Sequence, residues 1–214
     1  MVFLPFALSI VLMARSDMHP SPHTCPAASA TARGRLAAWA TLACAAAAAC
    51  TLAAAEPVAV QTPSGTLRLQ APAGYTALTD EELQTKFGRH GRRPLAAWGN
   101  ARRSSTVAVT WSRMAQKPLT PDALPAFMSA METTLPRLTP GLVMRDASLV
   151  TIGGRAWVRM DSTAPAADTD VRNLMYLTDL NGHMVGVNYN ATVADFPAQE
   201  PGFGSSAGTL RVQE

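Results

Sequence analysis

The sequence predicts an α+β domain: a mostly antiparallel sheet of about six to seven strands flanked by two or three helices, preceded by an N-terminal signal segment. Three observations carry that prediction. Gly153-Gly154 and Asn181-Gly182 each separate two long runs of strand-forming residues, and Asn-Gly is the strongest two-residue hairpin signal. Val107, Val109 and Trp111 alternate with Ala108 and Thr110, the period of two that a strand requires. Leu124, Phe127, Met128, Met131 and Leu135 recur at helical spacing and make one apolar stripe.

The elements follow in order. Val58–Gln61 and Thr66–Gln70 read as short strands split by the turn Pro63-Ser64-Gly65, and Pro72-Ala73-Gly74-Tyr75 as a loop. Thr79-Asp80-Glu81-Glu82 is a capping box: Thr79 caps, Glu82 reaches back, and the acids suit the positive end of a helix that runs to about Phe87 and stops at Gly88. Leu95–Asn100 and Ser105–Met114 form a hairpin. Thr120-Pro121-Asp122 opens the striped helix with proline at its favoured first position, and Pro136 and Pro140-Gly141 are expected to end it. Leu142–Ile152 pairs with Arg155–Thr163, and Val171–Leu180 with His183–Thr192. The stretch Pro197–Gly208 reads as a loop or a short poor helix, and Thr209–Val212 as a last edge strand.

The whole-chain averages combine two different polymers. The 214 residues are 48% hydrophobic and 15% charged, with a formal charge of +3 and three cysteines. That is too apolar for a disordered chain and has too few cysteines, in an odd number, for a disulfide scaffold. All three cysteines (Cys25, Cys44, Cys50) lie within residues 1–55, as does a mostly alanine and leucine run over 36–55. Arg33 and Arg35 precede that run, no charge follows until Glu56, and Ala53 and Ala55 supply small side chains at a cleavage point. This is the pattern of an export signal, with cleavage expected near Ala55 and a periplasmic or secreted product. Two other fates are open: a retained membrane helix, or a membrane-anchored lipoprotein lipidated at Cys50. In the lipoprotein case the membrane is reached only through the N-terminal segment. Val2–Met13 is a second apolar patch, too far from the run for an ordinary signal, so the natural start is expected downstream, at Met18.

Residues 56–214 are therefore read as one domain. They hold 15 basic and 14 acidic residues and no cysteine, so the net charge is about +1 and nothing pulls the domain toward nucleic acid. Without cysteine, thiol nucleophiles and thiolate-bound metals are excluded. His90 and His183 have no partner at ligand spacing and read as surface residues. Asp161, Asp168 and Asp170 lie close in sequence but lack the oxygen count and loop glycine of a calcium site. Gly204-Ser205-Ser206-Ala207-Gly208 matches the nucleophile elbow of serine hydrolases by letters. The elbow needs a preceding strand, a following helix and a later histidine; Pro201-Gly202 precedes, and no histidine lies beyond Ser206. No catalytic residue, cofactor or metal is expected. Arg89, Arg92, Arg93, Arg102 and Arg103 are the candidate residues for an anionic partner, since arginine grips carboxylates and phosphates with two donors. The two groups are also expected ~20 Å apart, at opposite ends of one strand, and solvated loop charge in an arginine-rich composition is the reading favoured over a single patch.

This order of elements resembles the PsbP-like fold group, which includes bacterial DcrB-like exported and lipoprotein domains. The resemblance spans roughly residues 58–212. It rests on the opening strand ending at Pro72-Ala73-Gly74-Tyr75, the capped helix Thr79–Phe87, a strand pair, the helix with Leu124 and Phe127, two hairpins, and the closing Thr209-Leu210-Arg211-Val212. It implies an antiparallel sheet between helices and no enzyme activity. Members act as binding, assembly or chaperone-like modules, and some exported domains of this type serve as immunity proteins; no site residue carries over. The function expected from all of this is an exported, non-catalytic binding or assembly module contacting a protein or cell-envelope component. The alternatives are a periplasmic immunity protein against a secreted toxin and a serine hydrolase using Ser206.

Overall fold

A computed structural model describes residues 56–88, 93–114, 117–166 and 169–214. The expected cleavage and lipidation sites, Arg89, His90, Arg92 and Asp168 lie outside these residues.

The described residues form two antiparallel sheets and three α-helices. Strands β1 (Val58–Thr62) and β2 (Gly65–Leu69) form a hairpin, and the short β3 (Thr76–Ala77) precedes helix α1 (Asp80–Phe87). Strands β4 (Ala96–Gly99) and β5 (Ser105–Ser112) pair, and helix α2 (Leu124–Leu138) follows a single 3-10 turn at Pro121–Ala123. Strands β6 (Val143–Ile152), β7 (Arg155–Pro165), β8 (Asp170–Leu180) and β9 (His183–Thr192) form a meander. Helix α3 (Phe196–Gly208) and strand β10 (Arg211–Gln213) close the chain.

The larger sheet has seven strands in the order β3-β4-β5-β9-β8-β7-β6. The long hairpins turn at the expected dipeptides: Asn181 and Gly182 both adopt positive φ, and Leu180 pairs with His183 across them. One face of this sheet carries Trp157, Leu174, Val187 and Tyr189. These residues pack against Leu67 and Leu69 of the small sheet and Phe196 and Phe203 of α3. On the opposite face, the Leu124, Phe127, Met131 and Leu135 stripe of α2 covers Val158, Met160, Met175 and Leu177, while Leu83 and Phe87 of α1 cover Ala97 and Ala108. The result is an antiparallel sheet with helices on both faces.

Several expectations need correction. The strands do not all join one sheet: the last is an edge strand as expected, but β10 pairs with β2 in a separate three-stranded sheet β1-β2-β10. Thr76–Ala77, between the loop and the capped helix, adds an unforeseen edge strand beside β4. Pro136 lies inside α2, which continues to Leu138 and closes with the Thr139 N–H on the Leu135 carbonyl at 3.0 Å. Burial of Leu135 outweighs the one hydrogen bond that Pro136 cannot donate. The stretch read as a loop or poor helix is a 13-residue α-helix containing Pro201, Gly202 and Gly204. An interior proline costs ~3 kcal/mol. Full burial of Phe196 and Phe203 offsets it, at roughly 1.5–3 kcal/mol per side chain.

Candidate functional site

Three of the five candidate arginines are described, and each meets a different carboxylate. Arg93 pairs with Asp80 in the first turn of α1. Arg102, largely exposed, lies 3.7 Å from Asp195, just before α3. Arg103 is the most constrained. It adopts φ 56° in the β4–β5 turn, the left-handed region that residues other than glycine rarely take. Its Nε donates to Glu82 Oε1 at 2.8 Å and its Nη2 to Oε2 at 3.3 Å. Its Nη1 reaches the Thr76 hydroxyl at 2.8 Å and the Gly99 carbonyl at 3.1 Å. It thus ties β3, α1 and β4 together. The Thr79 backbone N–H, helped by Arg103, holds the Glu82 carboxyl below its usual range. Lys86 donates to the Arg103 carbonyl at 2.6 Å, and burial lowers its own affinity for the proton.

Ser206 sits within α3, only 3% exposed. Its hydroxyl donates to the Gln70 carbonyl at 2.5 Å and lies 3.1 Å from the Tyr189 hydroxyl, whose pKa burial pushes well up. The elbow geometry is missing: the residue before the motif is helical, and the helix ends at Gly208. His183, at the start of β9, accepts the Met114 backbone N–H on Nδ1 at 3.2 Å and meets the Trp111 ring edge-on. At the opposite end of the β5–β9 ladder, Tyr75 joins Ser105 at 2.5 Å and donates to Gln199 at 2.9 Å, fastening α3 to the strand layer.

Of the three aspartates, the described Asp161 and Asp170 do not converge on a cation site. Asp161, 3% exposed, faces arginines. Arg172 grips it with Nε at 3.0 Å and Nη2 at 2.7 Å; Arg159 and Arg145 approach to 3.7 and 3.8 Å. Arg159 also donates to Asp146 at 2.5 Å, and Arg172 to Glu200 of α3 at 3.2 Å, its guanidinium lying 4.1 Å from the centre of the Phe196 ring. Asp170 is exposed at the start of β8. Among the described residues, no group of three or more His, Cys, Asp or Glu side chains could hold a metal ion, and no helix is long and apolar enough to cross a membrane.

This charged ledge is the feature that the sequence reading missed. Its signal was present: Arg159 and Asp161 are two apart on one strand and share a face. Arg172 joins them only through the β7–β8 register, which pairs Thr163 with Arg172 and cannot be read without knowing where the loop closes.

No family model matches the chain, and no curated protein matches it. Solved structures do. Cyanobacterial PsbP (CyanoP) from Synechocystis sp. PCC 6803 is similar at 14% identity and TM-score 0.50 over 77% of this chain and 96% of that one. LpqN of Mycobacterium tuberculosis, involved in cell envelope biogenesis, aligns at 13% identity and TM-score 0.49 over 74% and 90%. The Ran-binding protein Mog1p of Saccharomyces cerevisiae aligns at 12% identity and TM-score 0.44 over 74% and 96%. Identities this low speak to architecture and not to activity: the chain has the PsbP-like fold.

Proposed function

We propose that residues 56–214 form an exported, non-catalytic module that binds a protein or a cell-envelope component. The observation that carries this reading is the state of the best-placed nucleophile. A working serine must present its hydroxyl to substrate beside a base. Ser206 instead holds the Gln70 carbonyl from inside a helix. The exposed Arg102 on the β4–β5 turn, and Arg89 and Arg92 from a separate stretch of the sequence, are the cations assigned to an acidic partner face. Export rests on the arginine-flanked apolar run over 36–55, with cleavage near Ala55 and lipidation of Cys50 as the other route out.

Two measurements test this. The mass of the chain recovered from the periplasmic fraction is expected to begin at Glu56; a diacylated Cys50 selects the lipoprotein route, and recovery only from the cytoplasm overturns export. Cross-linking in intact cells is expected to trap a defined envelope partner, and the yield should fall when Arg89, Arg92 and Arg102 are replaced by Ser. Ester or cell-wall turnover abolished by Ser206→Ala overturns the non-catalytic reading.

A further inference from the structure

The main sheet ends in two unlike edges. At one, β3 is 2 residues long and Arg103 lies across it, its Nη1 donating to the Thr76 hydroxyl and carbonyl. At the other, β6 runs for 10 residues and, among the described residues, pairs only with β7. Edge strands are ordinarily kept short, charged or bulged, because their unpaired N–H and C=O groups invite another strand. The first part of β6 has such devices: Arg145 and Asp146 are charged, and the register shifts between Met144 and Asp146. The second part has none. Residues 147–152 contain no charge and no proline, and Leu149 in their midst is 43% exposed.

The hairpin decides which backbone groups face outward. Gly153-Gly154 makes a two-residue turn with Ile152 opposite Arg155. The pair flanking such a turn exchanges both backbone hydrogen bonds, and bonded pairs then alternate along the ladder. Ile152, Val150 and Ser148 therefore bond to β7, while Thr151, Leu149 and Ala147 turn their N–H and C=O groups to the open edge. That spacing matches itself. An antiparallel copy set with Leu149 opposite its own counterpart brings Ala147 opposite Thr151 on either side, so each outward donor meets an acceptor.

The charges agree with this register. It puts Asp146 of one copy opposite Ile152 of the other, one residue from Gly153. Asp146, Val150 and Ile152 lie on one face, the face of Trp157 that the small sheet covers. Arg211 of the small sheet lies against Gly153: a Cβ there would fall 2.5 Å from its Cδ. Exposed Arg211 donates to the Gly208 and Leu210 carbonyls and has no carboxylate partner among the described residues. The Asp146 side chain is 51% exposed. A carboxylate thus meets an arginine at both ends of the paired strands, and the two Leu149 side chains meet on the axis.

We infer that β6 is the surface through which two copies of this chain associate, antiparallel and edge to edge, about a two-fold axis at Leu149. A second copy is the occupant because the backbone spacing and the Asp146–Arg211 charges are matched within this one sequence. Strand pairing alone buries little area, so the dimer is weak and exchanges readily. Several strands separate β6 from the β4–β5 turn that carries Arg102, so this contact is independent of the partner contact proposed above.

The test is sedimentation equilibrium of the chain as cells produce it, over a dilution series. A reversible monomer–dimer equilibrium is expected. Leu149→Pro removes a donor that β7 does not use and should weaken the dimer at least tenfold while the circular dichroism of the monomer is unchanged. Arg211→Glu should weaken it roughly tenfold, because it sets like charges together at both ends. Under mild oxidation Leu149→Cys should cross-link two copies through the substituted position, and Ser148→Cys should do so far more slowly. Monomer at every concentration up to millimolar overturns the inference, and leaves the edge to residues 1–55 of this chain or to a strand of another protein. So does a dimer indifferent to both Leu149→Pro and Arg211→Glu, or equal cross-linking at the two positions. If Leu149→Pro fails to fold, Arg211→Glu and the cross-linking pair decide the matter.

Discussion

Arg103 donates to both carboxylate oxygens of Glu82, and one of those oxygens also accepts the Thr79 N–H that opens α1. The turn after β4 and the cap of the helix before it are therefore one unit. Thr79→Ala removes the hydroxyl that accepts the Glu82 N–H and is expected to cost about 1 kcal/mol. Arg103→Ala should destabilise by more than an ordinary surface substitution, because it also releases the Thr76 and Gly99 contacts. Urea unfolding of the two single variants and the double variant checks both, and coupling between them is expected to be non-zero.

The same unit sets a pH dependence. The folded protein holds the Glu82 carboxyl below its ordinary range, first through the Thr79 N–H and then through Arg103. A depressed folded pKa stabilises above the unfolded value, ~4.3 for Glu, and this contribution is lost as pH falls through the folded value. Glu82→Gln should therefore be less stable than the parent at pH 7, and the gap should narrow steadily below about pH 4. Thermal melts across pH 3–7 measure it; a gap independent of pH would remove Glu82 from the account.

Asp161 is buried against Arg172, Arg159 and Arg145. Removing one partner of a buried pair strands the others, typically at 3–5 kcal/mol. Asp161→Ala is expected to lose about 3 kcal/mol, and to loosen α3, because Arg172 also holds Glu200 and Phe196 of that helix. Hydrogen exchange along 196–208 is the readout that separates this from uniform destabilisation. Faster exchange confined to no particular element would leave Asp161 as a generic core contributor.

What was legible in the sequence was local. The Thr79–Glu82 box, the glycine-marked hairpins and the Leu124–Leu135 stripe each depend on neighbours within a few residues, and each stands as read. What escaped depends on contacts far along the chain. Gln213 lies opposite Thr66, and Arg68 donates to Gln213 at 2.9 Å. No local signal could tell Thr209–Val212 that its partner is β2 and not the main sheet. The two arginine groups were placed at opposite ends of a strand. Within the described residues the reason they form no single patch is more specific: Arg93, Arg102 and Arg103 each have their own carboxylate.

Phe203 decides whether α3 forms. Its ring lies 5.3 Å from Tyr189, 5.5 Å from Phe196 and 6.1 Å from Tyr75, centre to centre. Phe203→Ala should cost about 3–5 kcal/mol, and the loss should be accompanied by faster exchange of α3 and β10 before the meander β6–β9 opens. Simultaneous opening of all elements would mean that the small sheet and α3 belong to the same cooperative unit as the main sheet.

Pro201 offers the converse experiment. It is exposed inside α3, where it can donate no hydrogen bond to the carbonyl one turn back. The sequence alone reads Pro197–Gly208 as a loop or a short poor helix, and the propensities of Pro201, Gly202 and Gly204 do favour that. The helix forms because Phe196, Phe203 and Ala207 are buried on one side of it. If packing overrides propensity here, then relieving the propensity penalty must stabilise the protein. Pro201→Ala is expected to add roughly 1–3 kcal/mol, and Gly204→Ala, with open space around the new methyl group, about 0.5–1 kcal/mol. Both should raise the melting temperature and slow exchange in α3. A loss of stability on Pro201→Ala would mean that the proline ring itself contributes contacts at the surface of α3, and that the helix owes less to its buried aromatic face than Phe203 suggests.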